Sequence, residues 1–225
     1  MLNISDNTLS VLKSFATINP NIVLQPGQKV KTISDAKNIL AVADIVEDFP
    51  TEMGLYDLNE FLSVLGLVSD PKLEFCDNFV EVKGKEAKIK YFFSDPSILT
   101  KPQKDITMPN CEVNITLTGD ILDQVRRASS TLGHNEMSIT SAENSVIIKV
   151  YDSKDTAANS YNIELDSDMS DVGEFNFIFN ITNLKLIDGD YDVGISSKLI
   201  SNWKNTSKPV EYFIALEKNS NYNSQ

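Results

Sequence analysis

Few residues in this chain could carry out catalysis. The single histidine, His134, follows a predicted helix in a polar turn, where an exposed position is expected. A Ser-His-Asp or Cys-His site would have to be built on that one residue. The sequence contains no P-loop, GxGxxG, HExxH or GxSxG motif. These patterns give no support for a phosphate-binding loop or for a hydrolase.

Metal binding is also not favoured. The segment 188–192, Asp-Gly-Asp-Tyr-Asp, resembles the start of a calcium loop, but Val193 and Leu199 occupy the positions that require glycine and a bidentate glutamate. A tight turn with solvated carboxylates is therefore the preferred interpretation. Cys76 and Cys111 form no CxxC motif, and we interpret both as reduced thiols. We expect no metal, no cofactor and no catalytic residue.

The overall charge limits the kind of nucleic-acid contact that is possible. The net charge is -12 with a pI near 4.5, which argues against binding nucleic acid with the whole surface. A local basic stripe is still compatible with this charge. The first six residues lack a basic and apolar leader pattern, and no apolar run approaches the ~18 residues of a membrane helix. We therefore expect no membrane partner.

The clearest structural pattern lies in residues 112–133. Apolar and polar residues first alternate with strand period, and Thr118 then caps a helix that ends at Gly133. The apolar positions of this helix recur at helical spacing: Ile121, Leu122, Val125, Ala128 and Leu132. The same strand-to-helix pattern occurs near the chain start, near residue 55 and near residue 180, where Asn180 or Thr182 would cap a short helical turn. Four such events, two in each half, indicate an internal duplication.

These patterns predict an α+β protein of two similar domains, each with an antiparallel sheet and two helices packed on one side. We expect domains at 1–94 and 112–218, a proline-rich connector at 95–111 and a flexible tail at 219–225. Residues 47–50 are expected to lead toward the second helix, and residues 201–208 to form a polar connection.

Four basic residues lie on or beside the predicted helices, away from the apolar stripes: Lys13, Arg126, Arg127 and Lys185. If the helices line one surface, these cations could contact phosphates. Ordinary solvated helix positions would explain them equally well. Acidic residues on the same polar sides, Glu60 and Asp123, would leave the surface only mildly positive.

Five colinear segments carry a resemblance to a known family: 12–19, 56–70, 175–185, 189–191 and 212–217. In this order they resemble the DNA polymerase sliding clamps, or processivity factors, of T-even-like bacteriophages. The resemblance implies the DNA-clamp fold and a homotrimeric ring, with helices inside around double-stranded DNA and sheets outside. Within that family, Lys13 and Arg127 fit basic positions best, whereas Arg126 and Lys185 rest on the helix pattern alone.

The resemblance also implies function and partners. Such a clamp has no catalytic activity; it tethers a replicative DNA polymerase and is placed on DNA by an ATP-dependent clamp loader, and related clamps also recruit late-transcription factors. Its location would be the cytoplasm of an infected bacterial host. The alternative is a phage structural or assembly protein with duplicated β-rich domains and no DNA contact.

Two further surfaces follow as hypotheses. Similar clamps hold partner peptides in an apolar pocket near the domain junction, for which the connector offers Ile98, Leu99, Ile106 and Met108; ordinary packing of the connector would also account for these four. A head-to-tail ring needs an edge strand from each domain, for which we expect residues 87–93 and 161–165. Their charged and aromatic residues could face each other between subunits: Lys88, Lys90, Tyr161 and Glu164.

Overall fold

The computed structural model describes residues 1–142, 145–155, 157–166 and 172–223. Within them the chain forms two compact units. The first comprises Met1–Asp105, Lys185–Ile187 and Pro209–Tyr212, and the second comprises Ile106–Leu184, Asp188–Lys208 and Phe213–Gln225. All strand pairings with a described register are antiparallel. The predicted α+β class is confirmed.

The first unit contains two α-helices and several short sheets. Its elements are, in order, β1 (Leu2–Asn3), α1 (Asp6–Ile18), β2 (Ile22–Leu24), β3 (Gly27–Ile33), β4 (Ile39–Phe49), β5 (Met53–Leu55), α2 (Leu58–Gly66), β6 (Lys72–Phe75), β7 (Phe79–Lys83), β8 (Lys88–Phe92) and the 3₁₀ turn Pro96–Ile98. One sheet has the order β1-β6-β7-β8; β2 pairs with β5, and β3 with β4. Ser5 and Asp57 cap the two helices through their side chains.

Glu47 links β4 to the start of α1. Its side chain lies on the inward face of β4, and the residue is only 5% exposed. The Ser5 N–H donates to Oε1 at 2.5 Å, and the Thr8 hydroxyl donates to Oε2. Burial alone would raise the pKa of Glu47, but these hydrogen bonds outweigh it and lower the pKa below its ordinary value of 4.5. A charged residue on a buried strand face is thereby satisfied, and it places an anion at the N-terminus of α1.

Glu47→Gln should destabilise the first unit by about 1–2 kcal/mol at neutral pH, because the amide replaces one of two charge-assisted acceptors with a donor. Because the folded-state pKa is lowered, the stabilisation from Glu47 is fully present above the unfolded pKa and is lost as pH falls through the folded pKa. Urea unfolding followed by circular dichroism at neutral and acidic pH measures both effects.

The variant should lose part of the acid sensitivity of the parent protein. Asp48→Asn, on the exposed face of the same strand, is the matched control and should change neither the midpoint nor its pH dependence. Equal midpoints for Glu47→Gln and Asp48→Asn would show that the link between β4 and α1 contributes nothing.

The described residues of the second unit contain one α-helix. Its elements are β9 (Val113–Leu117), α3 (Gly119–Leu132), β10 (Glu136–Ser141), β11 (Ser145–Tyr151), β12 (Tyr161–Asp166), β13 (Glu174–Asn180), the 3₁₀ turn Ile181–Asn183, β14 (Tyr191–Ser196), β15 (Ile200–Asn205), β16 (Val210–Ala215) and β17 (Asn221–Asn223). Of β16, only residues 213–215 belong to this unit, because residues 210–212 group with the first. One sheet has the order β12-β11-β10-β13-β17, and β14 pairs with both β9 and β15. Thr118 caps α3, and Gly133 ends it in the left-handed conformation at φ 72°.

The fourth helical event is only a 3₁₀ turn, so the described part of the second unit has one α-helix where two were expected. Asn180, one of the two expected caps, caps the turn. The apolar spacing of three holds for Ile181 and Leu184, but Leu186 and Ile187 are buried as well. A continuous helix could not turn all four toward one core, and the chain leaves helical geometry after one turn.

The structure also divides the termini and connector differently from the expected boundaries. Residues 95–105 of the expected connector group with the first unit, and residues 106–111 group with the second. Within the expected flexible tail, Asn221–Asn223 form β17, which pairs with β13, and the Tyr222 ring stacks on Phe177 with a centroid distance of 6.5 Å. This ring contact and the strand pairing anchor the segment, whereas residues 224–225 lie outside the described residues.

Residues 201–208 were expected to be a polar connection, yet Ile200–Asn205 form β15. Ser201 and Trp203 of this strand hydrogen-bond within the core, whereas the buried Nδ2 of Asn205 has no hydrogen-bond partner among the described residues. Ser201 donates from Oγ to the Ile214 carbonyl at 2.9 Å and accepts from Nε1 of the fully buried Trp203 at 2.9 Å. The hydrogen bond to the distant Ile214, together with the one between Ser201 and Trp203, therefore allows a strand that its composition does not indicate.

Candidate nucleic-acid interface and partner surfaces

Lys13 and Arg127 present unpaired cations on the outer faces of α1 and α3. The opposite face of α1 buries Leu12 and Phe15, and that of α3 buries Val125. Both basic residues are exposed, and neither makes an ion pair within the described parts of the chain. An exposed, unpaired cation on a rigid helix is available to a phosphate oxygen.

The other two predicted cations have partners of their own. Arg126 lies 3.0 Å from Asp123 Oδ1 and 3.7 Å from Asp188 Oδ1. Lys185 donates from Nζ to the Thr17 carbonyl at 2.5 Å, in the last turn of α1. Since that turn contains no basic residue, the Lys185 ammonium complements the negative end of the helix. Arg126 and Lys185 are therefore less available to an external anion than Lys13 and Arg127.

β8 is the end strand of its sheet among the described strands. The Phe93 N–H donates to the Asn78 carbonyl at 2.9 Å on the β7 side. Since inward and outward backbone groups alternate along an antiparallel strand, Lys88, Lys90 and Phe92 direct their N–H and C=O groups to the open side. The expected edge at residues 87–93 is thus an open strand edge with two lysines along it.

β12 is likewise the end strand of the sheet β12-β11-β10-β13-β17, among the strands that the structure describes. The Ala142 N–H donates to the Ser145 carbonyl, so Ser145 directs its backbone groups toward β10. The direction of the backbone groups alternates along each strand. Following it from β11 to β12 shows that Asn162 and Glu164 direct their N–H and C=O groups to the open side of β12. The Glu164 carboxylate accepts from Ser145 Oγ at 2.7 Å. Each unit therefore offers one open edge that could pair with another chain.

Tyr161 and Arg127, predicted for different roles, lie together in the second unit. The Tyr161 hydroxyl donates to Gln124 Oε1 on α3 at 2.9 Å. These three residues line a groove of about 430 Å³ with Ala128 and Leu132. The beginning of the β12 edge and the cationic helix face are thus adjacent.

The four connector residues proposed for a peptide pocket lie in two different units. Ile98 is 70% exposed and Leu99 is 7% exposed, both in the first unit. Ile106 and Met108 belong to the second unit, and Ile106 is also exposed. Met108 lines a cavity of about 710 Å³ with Cys111 and residues of β9, β14 and β15.

Gly194 on β14 allows the connector to approach this cavity closely. A Cβ atom at this position would lie 2.9 Å from Cys111 Sγ and 3.2 Å from Asn114 Oδ1. Partial burial, and then the nearby Glu112, raise the pKa of the Cys111 thiol. The thiol therefore packs against a glycine surface and is a poor nucleophile at neutral pH.

Gly194→Val should push Cys111 away from the sheet and increase its reaction rate with a thiol reagent several-fold at mildly alkaline pH. The measurement is the rate of reaction with Ellman's reagent in a Cys76→Ser background, which leaves one thiol. Val193 is buried and, because side chains alternate along a strand, points to the face of β14 opposite Gly194, so Val193→Ile serves as the control. An unchanged rate for Gly194→Val would mean that Cys111 does not pack as described.

Neither membrane spans nor metal clusters are found among the described residues. None of the described helices combines the length and apolar character needed to cross a membrane. Within the same residues, no group of three or more His, Cys, Asp and Glu side chains is arranged to hold a metal ion.

The comparisons with known proteins cover both halves of the chain. A family model described as a DNA polymerase processivity factor matches residues 5–94, and one described as the C-terminal part of the gp45 sliding clamp matches residues 114–218. The chain belongs to the sliding-clamp family. The sliding clamp of Vibrio phage KVP40 is 31% identical over 96% of this chain and 99% of its own length, and that of Enterobacteria phage T4 is 30% identical over 98% and 99%.

Solved structures confirm the DNA-clamp fold. A. fulgidus PCNA, solved with the C-terminal region of FEN-1, matches with a TM-score of 0.71 at 14% identity, covering 95% of this chain and 96% of that chain. The H. pylori beta clamp matches with a TM-score of 0.73 at 9% identity, covering 96% of this chain and 65% of that one. The predicted family resemblance and fold are both confirmed.

Sequence reasoning missed one group of charged residues. Lys29, Lys31 and Lys101 line a common groove in the first unit. Alternation along β3 could have shown that Lys29 and Lys31 share a face. The contribution of Lys101, seventy positions later, requires the folded connector.

Proposed function

We propose that this sliding clamp encircles double-stranded DNA as a ring of three chains and tethers a replicative DNA polymerase. The observation that carries the proposal is the open strand edge in each unit, β8 in the first and β12 in the second. Pairing β8 of one chain with β12 of the next is a heterologous contact, which closes into a ring if the rotation allows. Each pairing would also satisfy the outward backbone groups of both edges.

In this proposal the DNA contact is topological, and cations adjust it. A closed ring needs no tight phosphate contacts, which would oppose sliding. The exposed Lys13 and Arg127 supply weak, sequence-independent attraction, while the net charge of -12 repels DNA from the rest of the surface. Arg126 and Lys185 make a smaller contribution because their charges are already engaged. The clamp carries out no chemical step of its own.

The partners follow from the same proposal. A closed ring needs a clamp loader that opens it at the expense of ATP, and processive synthesis needs a segment of the polymerase that attaches to the clamp. We propose the Met108 cavity of the second unit as one attachment surface for such segments. The exposed Ile98 of the first unit and Ile106 of the second are separate apolar contacts, whereas the buried Leu99 holds the connector in place. Late-transcription factors are further candidates for the same surfaces. The site of action would be the cytoplasm of the infected bacterium.

The solution mass tests the assembly. Light scattering over a range of concentrations should give about 75 kDa, which is three chains of 25.0 kDa, with dissociation on dilution. A mass of 25.0 kDa that stays constant at all concentrations would contradict a self-assembled ring.

A further inference from the structure

A basic groove lies on the first unit of this acidic chain. Lys29 and Lys31 of β3 and Lys101 of the connector line a groove of about 380 Å³. The chain has 20 basic and 32 acidic residues. A groove lined by three ammonium groups is therefore unusual for this negatively charged chain. Val23 and Pro102 add apolar surface to the lining.

The groove is held by the fold. Lys29 and Lys31 are two positions apart on β3 and share its outer face, since Val30 between them is buried. The connector is anchored where Leu99 is buried and where the Thr100 N–H donates to Asn21 Oδ1 at 3.0 Å. Lys101 follows directly and is therefore placed beside β3.

The lysines of this groove already hold carboxylates of the same chain. Lys31 pairs with Asp105, Lys29 with Asp44 at 3.4 Å, and Lys101 with Glu52 at 3.9 Å. Such exposed pairs contribute little to stability, so another carboxylate can replace them. The Asp105 side chain is mostly exposed and belongs to the connector, so it can move away from Lys31 without disturbing the core. The hydrogen bond from Lys31 and then its charge lower the pKa of Asp105, so its carboxylate stays ionised at neutral pH.

We propose that this groove binds an acidic peptide segment of a partner protein, and that Asp105 occupies it as an internal competitor. An extended peptide fits because its carboxylates replace those of Asp105 and Glu52, while its aliphatic side chains contact Val23 and Pro102. A DNA duplex is too wide to enter a groove of about 380 Å³, whereas an extended peptide chain is narrow enough. Only the identity of the partner, a polymerase or loader segment, rests on the proposed clamp function.

The test uses the full chain and a fluorescent acidic peptide, acetyl-Asp-Asp-Leu-Asp-Asp-amide. The control peptide has the same length and has asparagine in place of each aspartate. Fluorescence anisotropy at low ionic strength should show binding of the acidic peptide alone. The double variant Lys31→Gln/Lys101→Gln should weaken binding by about tenfold or more. Asp105→Asn should strengthen it by up to about fivefold, because the competitor is removed. Lys85→Gln, an exposed lysine in a turn outside the groove, is the control and should leave affinity unchanged.

Each other outcome overturns the inference. The acidic peptide could fail to bind, or Lys85→Gln could weaken binding as much as Lys31→Gln/Lys101→Gln does. Asp105→Asn could weaken binding instead of strengthening it. Finally, a short DNA duplex could displace the peptide through contacts that require Lys31 and Lys101. Light scattering of the same samples separates this inference from the clamp proposal. A trimer that does not bind the peptide contradicts only the groove, and a monomer that binds it contradicts only the ring.

Discussion

Replacing Lys90 by proline is expected to leave both units folded and to abolish assembly of the trimer. The Lys90 N–H points to the open side of β8, so proline removes no hydrogen bond within the chain. The same N–H is a donor that a neighbouring β12 would need, and the proline ring would also block close approach of that strand. Light scattering should give the mass of a single chain, 25.0 kDa, at concentrations where the parent protein is trimeric.

Two variants control this result. Lys90→Ala removes the same charge and the contact of Lys90 with the Phe79 ring, but it keeps the backbone donor and should still assemble. Asn162→Pro places the same block on the outward face of β12 and should also give single chains. Circular dichroism should show the same secondary structure in all three. A trimer formed by either proline variant would contradict pairing through these edges.

Reversing the charge of Lys13 and Arg127 together is expected to have the largest effect on DNA. In a ring of three chains, Lys13→Glu/Arg127→Glu changes six cations that could each displace a counterion from DNA. Each phosphate contact contributes about 0.9 to the slope of log loading against log salt concentration, so this slope should become shallower by about 5. The loading yield at low salt should fall by about tenfold or more. The measurement is the fraction of clamp loaded on nicked circular DNA, with loader and ATP, across a salt titration.

A matched double variant separates location from net charge. Lys85→Glu/Lys198→Glu reverses two exposed turn lysines and gives the same total charge. It should load with the same salt dependence as the parent clamp. Arg126→Glu should have a smaller effect than Arg127→Glu, because Arg126 is already paired with Asp123 and Asp188. Equal losses for the two double variants would show that the α1 and α3 cations have no special position.

Local patterns were sufficient to predict α1, α2 and α3, but not the 3₁₀ turn at Ile181–Asn183. The spacing of apolar residues and the caps of α2 and α3, Asp57, Thr118 and Gly133, are all visible in the sequence and appear in the structure. Ser5, directly before α1, likewise caps its helix through its side chain. Such features depend on neighbours within a few residues, which is why a single sequence reveals them.

Features that depend on distant partners could not be predicted in the same way. Residues 47–50 were expected to leave the sheet, yet β4 continues to Phe49 because the Glu47 carboxylate is satisfied by Ser5 and Thr8. β15 is polar in sequence and becomes a core strand through the hydrogen bonds of Ser201. In both segments the composition alone indicates a loop, and tertiary hydrogen bonds decide otherwise.

The candidate site shows the same division. That Lys13 and Arg127 are exposed followed from their positions outside the apolar stripes. The pairing of Arg126 with Asp188 joins residues far apart in sequence, as does the meeting of Lys31 and Lys101 in one groove. The family resemblance supplied the fold and the ring as expectations, because no local pattern specifies how one chain meets another.

Retention on circular DNA tests the central claim, that the clamp holds DNA by encircling it. The clamp is loaded with its loader and ATP on nicked circular DNA, the salt is raised to suppress phosphate contacts, and the DNA is then cut once. We predict that the clamp stays on the circle at high salt and is released when the DNA becomes linear. Loss from the intact circle at the same salt as from the linear form would contradict the account, because it would show that ionic contacts and not a closed ring hold the DNA.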